Sequence, residues 1–518
     1  MLLKEPKVLL VYPPNQLMDI ETPRPDGSLG PLYLAGALRD AGFEVDVLDA
    51  SVGGPGDSLD DTFRRVVRQP NGLMRIGMSP ERIREVVSRG GYNVVGINSN
   101  FTPQTRMVLE MAHLVREVNP DALVITGGVN ARNMVPRLMS SSSIDLICTT
   151  EGERVVVDIV QKWSKGESLK GVPGTVCRNG ANGYKLTPPQ VDTVITDLDQ
   201  LPVPAWELLP LDKYEKIAAP HGDISTHGQH RYAPIMTSRG CPFRCTYCHI
   251  STEKDESGFS GDIGSLRLKS VERVISEIDR IQDLGIKKLY FEDDSMLAKK
   301  WRVKAIFEQV VSRGLIIANV NGVNLVHLFV KSKRGGLEID RDYLELLKAA
   351  GFSVIVFPVE SASQRILDKY ATAKLDHSRT DVVKLVETAV EVGIVCPINM
   401  MIGFPDETEA EIYQSIDLGR RLVDAGAHYC TFFIPIPFPG SCLYETAIKS
   451  GYLDPGFDPD LMNWKNPVMK NTTVSPERLV ELREWAWRTV NRRDYVEARL
   501  KENMGSRWSS GAISRVSV

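Results

Sequence analysis

Three cysteines lie within eight residues of one another and carry the most specific chemistry in the sequence. Cys241, Cys245 and Cys248 stand in the stretch TSRGCPFRCTYCH with the spacing Cys-x3-Cys-x2-Cys. A structural zinc site takes four protein ligands, and His249, the nearest further ligand, directly follows Cys248, which restricts the geometry of both. Three thiolates can instead hold three irons of a cubane iron–sulfur cluster and leave the fourth iron open. The spacing favours such a cluster over zinc and over three unrelated cysteines.

Polar residues follow several predicted strands further along the chain. They stand in the stretches YFEDDSM, PVESAS and MMIGFPDET, and the positions of interest are Glu292, Asp293, Asp294, Glu360, Ser361 and Gly403. The acidic run also fits a solvated turn, and Gly403 also fits a plain turn. A carboxylate buried at a strand end is costly without a partner, which favours a functional role for Glu360.

The elements that must position these residues alternate between strand and helix from about residue 233 to 450. Amphipathic helical patterns such as VERVISEIDRIQDLG are each followed by an aliphatic strand such as KKLYFEDD. About six such units in one run predict a partial, TIM-like (β/α)6 barrel. Chemistry in such barrels takes place at the C-terminal ends of the strands, where the cysteines and the polar residues stand.

The first 165 residues predict a different α/β architecture. Continuous aliphatic strands such as KVLLVYP, YNVVGINSN and ALVITGG alternate with helical patterns, which is typical of a doubly wound, Rossmann-like domain. Ligands of such domains bind beyond the carboxyl ends of the strands, where Ser99, Thr102, Gly127 and Gly128 stand. Residues 55–92 carry two weaker helical patterns and predict an insertion or a long crossover.

The patterns divide the chain into four segments. We predict a doubly wound domain over residues 1–165, a connector over 166–232, a barrel over 233–450 and a helical region with a disordered tail over 451–518. The connector is rich in proline and glycine and carries three histidines, His221, His227 and His230. We expect these histidines in a flexible polar loop, although they could also touch a substrate.

Composition restricts the class of protein. The chain has 518 residues and a net charge of −4, and this slightly acidic balance argues against a general nucleic-acid partner. No apolar run approaches the roughly 18 residues that span a bilayer, and the N-terminus does not resemble a signal peptide. Five of the eight cysteines are scattered, so we expect free thiols in a reducing, cytoplasmic compartment.

The cysteine motif resembles the signature of radical S-adenosylmethionine enzymes, in which an aromatic residue, here Tyr247, precedes the last cysteine. The resemblance implies a [4Fe-4S] cluster whose open iron binds S-adenosylmethionine. It also implies that an electron from the cluster cleaves this molecule to a 5′-deoxyadenosyl radical. The implied contacts to S-adenosylmethionine are Glu292, Asp293 and Asp294 at the methionine amino group, Glu360 and Ser361 at the ribose or the methionine end, Gly403 at the adenine, and Tyr247 alongside.

The first domain resembles the cobalamin-binding domain that precedes the barrel in a large subclass of these enzymes. The matched stretches include KVLLVYPP, VVGINSN, VITGGVNARN and DLICTTEGE, although another doubly wound domain could supply similar strands. The implied cobalamin contacts are Ser99, Thr102, Gly127, Gly128 and Asn130, the last standing in GGVNA where relatives carry Gly-Gly-Pro-His. The cobalt-ligating motif Asp-x-His-x-x-Gly is absent, and we expect His113, in mid-helix, to be structural.

The two resemblances together imply a cobalamin-dependent radical S-adenosylmethionine enzyme. The leading hypothesis is a C-methyltransferase that acts on an unactivated carbon of a small molecule or a natural-product intermediate. A second hypothesis is a cobalamin-dependent radical oxidation, cyclisation or rearrangement without methyl transfer, and a third is a sensor that binds both cofactors without turnover. An enzyme of this class also needs an electron donor such as flavodoxin or ferredoxin.

Overall fold

The structure is a computed structural model that describes residues 6–18, 21, 23–25, 27–180, 183–217, 231–319, 321–333, 336–372 and 374–505. The described residues of Met1–Pro220, Glu253–Ile263 and Glu502–Val518 form one compact unit, and those of His221–Thr252 and Gly264–Lys501 form the other. We call these the first and the second unit. The three connector histidines and the predicted disordered tail after residue 505 lie outside the described residues.

Most strands of the first unit belong to one seven-stranded sheet. The strands of this unit are β1 (Lys7–Tyr12), β2 (Asn15–Leu17), β3 (Glu44–Asp49), β4 (Val66–Arg68), β5 (Met74–Ile76), β6 (Val94–Asn98), β7 (Leu123–Gly127), β8 (Leu146–Cys148), β9 (Thr175–Asn179) and β10 (Gly183–Thr187). The sheet order is β10-β9-β8-β7-β6-β1-β3, and the strands from β8 to β3 are parallel. Because β1 lies between β3 and β6, the chain reverses its direction of winding at β1, which confirms the predicted doubly wound fold.

Helices cover both faces of this sheet. The helices of the first unit are α1 (Leu29–Asp40), α2 (Pro80–Gly90), α3 (Thr105–Val118), α4 (Val129–Asn133), α5 (Val135–Met139), α6 (Gly152–Ser164) and α7 (Leu211–Tyr214). Alternate residues of β1 belong to two separate apolar cores, with Leu9 and Val11 in one and Val8 and Leu10 in the other. Burial on both faces explains why the parallel strands are continuously aliphatic.

The region predicted as an insertion contains a second, small sheet. Strands β2, β4 and β5 pair antiparallel in the order β2-β5-β4. One of the two weak helical patterns forms α2, whose first turn is capped by the Ser79 hydroxyl, while the other contributes turns and β4. Turn residues between β4 and β5 let the chain in this region pair with itself.

The segment predicted as a connector adds strands to the large sheet. β9 pairs antiparallel with β8, and β10 pairs antiparallel with β9. The sequence between these strands contains Asn-Gly pairs, which favour tight turns between antiparallel strands. Further along the connector, α7 is also part of the first unit.

The second unit is built on parallel strands that occupy six neighbouring positions in two sheets. Its strands are β11 (Tyr232–Ile235), β12 (Ser238–Arg239), β13 (Arg267–Leu268), β14 (Lys288–Phe291), β15 (Ile316–Asn319), β16 (Phe329–Lys331), β17 (Leu337–Ile339), β18 (Phe352–Ile355), β19 (Phe357–Glu360), β20 (Pro397–Met401) and β21 (Tyr429–Phe433). One sheet has the order β11-β14-β15-β18 and another β19-β20-β21. β18 and β19 are separated by Val356 alone, so they occupy one strand position, and the two sheets together form the predicted partial barrel.

Helices follow the barrel strands and extend to the C-terminal region. They are α8 (His249–Thr252), α9 (Val271–Asp283), α10 (Lys300–Val310), α11 (Arg341–Ala349), α12 (Gln364–Tyr370), α13 (Val382–Val392), α14 (Glu409–Asp424), α15 (Cys442–Lys449), α16 (Pro476–Val490) and α17 (Arg493–Gly505). Capping residues set several of the starts, as in α14, where Thr408 and Glu411 form a capping box. No helix within the described ranges is long and apolar enough to cross a membrane.

Candidate active site

The loop that carries the three cysteines begins at a turn that only glycine can make. Gly240 has a φ of +77°, and a Cβ on it would lie 2.4 Å from the carbonyl oxygen of Ser265. The Gly240 N–H donates to Asp294 Oδ2 at 2.9 Å, and the Cys241 N–H donates to the carbonyl oxygen of Gly264 at 3.2 Å. The entry to the cysteine loop is therefore fixed by backbone contacts and by one predicted acid.

Asp293 holds the strand that leads into this loop. Its carboxylate is fully buried and accepts the Thr237 N–H at 3.0 Å, the Thr237 hydroxyl at 2.7 Å and the Ser238 hydroxyl at 2.6 Å. Burial raises the pKa of Asp293, while the hydrogen bonds from Ser238 and Thr237 oppose that rise. Asp293 and Asp294 thus both bind the N-terminal side of the cysteine loop, a use that the acidic run did not predict.

Glu292 occupies a different position from the two aspartates. It directly follows β14, in which side chains alternate between the two faces. The ring of Phe291 packs edge-to-face against Phe307 of α10 and therefore points toward the helices. Glu292, the first residue after the strand, is partly buried. Its contact with the amino group of S-adenosylmethionine stays a prediction.

The three cysteines of the loop are free thiols. Burial raises the pKa of the Cys248 thiol to about 12 and also raises that of Cys245, so a thiolate at either position needs a bound metal to stabilise it. Among the described residues, no three histidine, cysteine or acidic side chains converge closely enough for a single metal ion. The cubane cluster that the spacing predicts for this loop would bind one thiolate at each of three irons.

A buried ion pair joins Glu360, at the end of β19, to Lys374. The Glu360 and Lys374 side chains are only 8% and 13% exposed. Burial alone lowers the pKa of Lys374, but Glu360 and Cys245 raise it, and the net shift is upward. Glu360 also has a φ of +68°, a strained conformation that is found most often at functional sites. The electrostatic influence of Cys245 on Lys374 indicates that this pair lies near the cysteine loop.

The hydroxyl of Ser361 takes part in an internal network. Its Oγ lies 3.3 Å from the Ser415 hydroxyl and accepts the Ser363 N–H at 3.1 Å. The carbonyl oxygen of Ser361 contacts His377 Nε2 at 2.8 Å. These contacts connect the end of β19 to α14, so the predicted contact of Ser361 with S-adenosylmethionine rests on the resemblance alone.

Three aromatic rings form a row beside the last cysteine. The rings of Tyr247 and Phe404 have centroids 5.9 Å apart, and Phe404 stacks on Tyr370 at 4.4 Å. Phe404 directly follows Gly403, whose φ is +97° and whose added Cβ would lie 2.7 Å from Leu479. The glycine therefore permits a close turn after β20, and this turn places an aromatic ring next to Tyr247.

Glu407 stabilises this turn and was not predicted as a site residue. Its Oε2 accepts the N–H groups of Gly403 at 2.6 Å and Phe404 at 3.1 Å. Its Oε1 is buried and has no hydrogen-bond partner within the described structure. Burial raises the pKa of Glu407 from its ordinary value of 4.5 to about 8, so the carboxyl is mostly protonated at neutral pH.

This raised pKa predicts a pH-dependent effect of Glu407→Gln. The folded protein binds the Glu407 proton more tightly than the unfolded chain, so this contribution to stability is complete below pH 4.5 and is lost as the pH rises through 8. The Glu407→Gln variant has no such proton. Between pH 4.5 and 8, the wild-type free energy of unfolding should therefore fall relative to that of the variant by up to about 1.4 kcal/mol per pH unit. Chemical unfolding at pH 5 and pH 8 tests this, and an equal difference at both pH values would contradict it.

In the first unit, the predicted cobalamin contacts lie at the carboxyl ends of β6 and β7. Asn130 Nδ2 donates to the Ser99 hydroxyl at 3.0 Å and to the Thr105 hydroxyl at 3.1 Å. The Thr105 hydroxyl in turn donates to the carbonyl oxygen of Thr102 at 2.7 Å. Ser99, Thr102 and Asn130 are buried and therefore shape the loops at this edge of the sheet.

Gly127 and Gly128 differ in how tightly they are packed. A Cβ on Gly128, which has a φ of +113°, would lie 2.4 Å from Asn100 Oδ1 and 2.7 Å from the carbonyl oxygen of Ser99. A Cβ on Gly127 would lie no closer than 3.3 Å to Cys148 Cβ. Gly128 therefore allows the loops after β6 and β7 to approach each other.

This difference predicts that Gly128→Ala is far more damaging than Gly127→Ala. We expect Gly128→Ala to destabilise the first unit by about 1–3 kcal/mol, because it adds backbone strain and a clash with backbone. Gly127→Ala should change stability by less than about 1 kcal/mol. Thermal unfolding and cobalamin retention of both variants test this, and equal effects of the two substitutions would contradict it.

The edge of the first sheet has the features that a large flat cofactor needs. The reversal point between β1 and β6 is where doubly wound domains bind their ligands. Phe101 follows β6 there and is 48% exposed, which offers an apolar ring beside polar loops. His113, the histidine of α3, contacts Glu117 at 3.2 Å and is exposed on the surface of the helix. The residues at this edge are therefore compatible with cobalamin.

Comparison with known proteins agrees with this division of the chain. Residues 27–160 match the model of the B12 binding domain, and residues 235–419 match that of the Radical SAM superfamily. The chain is 28% identical over 93% of its length to the uncharacterised methyltransferase PH0819 of Pyrococcus horikoshii, covering 91% of that protein. It is 27% identical over 89% of its length to cytidylyl-2-hydroxyethylphosphonate methyltransferase of Streptomyces wedmorensis, covering 85% of that protein.

Solved structures share the fold. The radical S-adenosylmethionine methyltransferase TsrM from Kitasatospora setae, solved with cobalamin and a [4Fe-4S] cluster bound, superposes with a TM-score of 0.62 at 19% identity. The match covers 88% of this chain and 80% of TsrM. The two family models account for the three predicted cofactors, with cobalamin in the first domain and the cluster and S-adenosylmethionine in the barrel. The chain belongs to the radical S-adenosylmethionine enzymes that carry a B12-binding domain.

Proposed function

We propose that this enzyme is a C-methyltransferase that acts on an unactivated carbon of a small molecule or natural-product intermediate. The observation that carries the proposal is the presence of a B12-binding and a radical S-adenosylmethionine domain in one chain that aligns almost end to end with two methyltransferases. When bound, the cluster supplies the electron that cleaves S-adenosylmethionine, and cobalamin carries the methyl group. The electron is supplied by a donor such as flavodoxin or ferredoxin.

The cysteine loop holds the cluster in this proposal. Cys241, Cys245 and Cys248 supply three thiolates, and the backbone contacts of Gly240 and the carboxylates of Asp293 and Asp294 fix where the loop begins. Because Asp293 and Asp294 bind the loop itself, we assign them as positioning residues. We assign Glu292, which directly follows β14, to accept hydrogen bonds from the methionine amino group.

Lys374 is the group that we assign to the carboxylate of S-adenosylmethionine. An ammonium buried beside one carboxylate and close to a cysteine of the loop can bind a second carboxylate without leaving its first partner. In this arrangement Glu360 orients Lys374. Glu292 and Lys374 then recognise the two charged groups at the methionine end of the cofactor.

We assign Tyr247 to the apolar contact with the adenine or the ribose, while the buried rings of Phe404 and Tyr370 support it from the core. Tyr247 and Phe404 face each other beside Cys248, and the turn at Gly403 sets the position of Phe404. Glu407 holds that turn through two backbone N–H groups. Apolar rings here exclude water from the place where a reactive radical must be directed to the substrate.

In the first domain, we assign Ser99, Thr102 and Asn130 to shaping the cobalamin site. Their mutual hydrogen bonds fix the loops after β6 and β7, while Gly128 lets these two loops approach each other closely. Phe101 supplies an exposed ring that can pack against the cofactor. A substitution of Asn130 should therefore weaken cobalamin binding while leaving all three ligands of the cluster in place.

The mass of the product tests methyl transfer. Reconstituted enzyme is incubated anaerobically with reductant, S-adenosylmethionine and a metabolite extract, and the products are analysed by mass spectrometry. We expect a substrate that gains the mass of one methyl group in place of hydrogen, and no such product from the Cys245→Ala variant. A product that shows oxidation, cyclisation or rearrangement without this gain would contradict methyl transfer and support the second hypothesis.

A further inference from the structure

A short segment after the cysteine loop belongs to the cobalamin-binding unit. The chain passes from the second unit to the first after Thr252, contributes Glu253–Ile263 to the first unit, and returns to the second at Gly264. Glu253 follows Cys248 by only five residues. The C-terminal flank of the cysteine loop is thus covalently continuous with a segment whose contacts lie in the other unit.

A buried ion pair anchors the start of this segment. Arg132 of α4 contacts Glu253 Oε1 at 3.0 Å, and the two side chains are 9% and 7% exposed. Glu256, further along the segment, is half-buried. Burial and the nearby Glu253 raise the pKa of Glu256, while Arg132 acts in the opposite direction. Breaking a buried ion pair leaves an uncompensated charge, so the pair holds Glu253 firmly in place.

Further contacts anchor the rest of the segment. The Thr149 hydroxyl donates to the carbonyl oxygen of Phe259 at 2.8 Å, and the Thr150 hydroxyl donates to that of Ser260 at 2.6 Å. The ring of Phe259 packs against the apolar core on one face of the large sheet. A Cβ on Gly261 would lie 2.7 Å from Val194, which shows how closely the segment is packed.

These anchors stand near the carboxyl ends of β7 and β8, and the predicted cobalamin contacts Gly127, Gly128 and Asn130 also follow β7. Arg132 lies on α4, directly after the Gly127–Gly128 turn, and Thr149 and Thr150 directly follow β8. A cofactor that orders the carboxyl edge of the sheet therefore also orders the groups that hold Glu253–Ile263. Coupling between two binding sites is reciprocal, so each cofactor should favour retention of the other.

We propose that Arg132 and Glu253 are positioning residues through which cobalamin binding stabilises the iron–sulfur cluster. Neither residue is assigned as a ligand of the cluster. It fixes the segment that continues the cysteine loop, so that the loop resists opening when the cobalamin site is ordered. The proposal rests on the proposed function only in requiring that the chain binds both cofactors.

The rate of cluster loss tests this coupling. Reconstituted protein is treated with an iron chelator, and loss of the cluster absorption is followed with and without bound cobalamin. In wild-type protein we expect cobalamin to slow the loss by about fivefold or more, the lower end of typical coupling between sites. In Arg132→Gln and Glu253→Gln proteins, cobalamin should change the rate by less than about twofold.

Three further proteins separate coupling from general damage. Arg82→Gln removes an ion pair with Asp57 in the same unit, away from the segment, and should keep the cobalamin effect. The double variant Arg132→Glu with Glu253→Arg should restore part of that effect. Thr149→Val removes one anchoring hydrogen bond with little change of shape and should reduce the effect even if the charge variants fail to fold.

The two proposals fail in different ways. A wild-type protein that binds no cobalamin would overturn the proposed function. A wild-type protein that binds cobalamin but loses its cluster at the same rate with and without it would overturn the coupling alone. Variants at Arg132, Glu253 and Thr149 that fold and keep the full cobalamin effect would also overturn it.

Discussion

Replacing Cys241 with alanine should abolish both the iron–sulfur cluster and the cleavage of S-adenosylmethionine. Three thiolates act together on one cluster, so the loss of any of them removes the function of all three. We expect the release of 5′-deoxyadenosine to fall on the order of 10³-fold or more, as for groups that act as a unit. Iron content, the visible absorption of the cluster and anaerobic product analysis measure the effect, and Cys245→Ala should behave in the same way.

Cys442 provides the matched control for these variants. It is an exposed free cysteine at the start of α15 and is not part of the motif. Cys442→Ala should keep full iron content and full cleavage of S-adenosylmethionine. If Cys245→Ala also kept both, the assignment of the cluster ligands would be wrong.

Replacing Lys374 with methionine should have the next largest effect. The substitution leaves the Glu360 carboxylate buried without its partner, which typically costs about 3–5 kcal/mol of stability. It also removes the cation that we assign to the carboxylate of S-adenosylmethionine, so the affinity for this molecule should fall by at least about tenfold. Chemical unfolding and equilibrium binding measure the two effects separately. Lys369→Met, at an exposed neighbour paired with Asp406, should change stability by less than about 1 kcal/mol.

A double variant separates the structural from the binding role of Lys374. Lys374→Met combined with Glu360→Gln removes both charges, so most of the lost stability should return. The affinity for S-adenosylmethionine should stay low, because the cation is still absent. Recovery of both properties in the double variant would show that the pair is structural and does not contact the cofactor.

The spacing of the cysteines is a local signal, and it predicted the radical S-adenosylmethionine domain that the family comparison confirms. Cys241, Cys245 and Cys248 are held by one loop, and a turn glycine before them is visible in the sequence. The barrel strands could be predicted in the same way, because their aliphatic patterns and the helices between them are continuous in the chain. The family comparisons confirm the fold class and the three cofactors that these patterns implied.

The partners of the acidic residues could not be predicted, since they depend on contacts between distant parts of the chain. Asp293 binds Thr237, which stands 56 positions earlier, and nothing in YFEDDSM distinguishes it from Glu292. Lys374 lies in a loop after α12 with no motif around it, so its pairing with Glu360 appears only in three dimensions. Glu407 stands in a quoted motif, and its spacing from Gly403 was the one signal that could have identified it.

Pairing between strands explains which features of the first unit local patterns did not predict. β2 pairs with β5 across more than fifty residues of sequence, so the small sheet in the region 55–92 could not be read from local patterns. The hairpin of β9 and β10 is signalled by Asn-Gly pairs, but that signal does not say that β9 joins the edge of the large sheet at β8. Local turn residues were visible in both cases, whereas the partner strands were not.

The most direct test of this account is to measure cofactor content and radical initiation in the same sample. The full chain is reconstituted anaerobically with iron, sulfide and cobalamin, freed of unbound cofactor, and given reductant and S-adenosylmethionine. We predict the visible absorption of both bound cofactors and the release of 5′-deoxyadenosine, which Cys241→Ala should not produce. Protein that retains no cobalamin, or that retains both cofactors and releases no 5′-deoxyadenosine, would contradict the account.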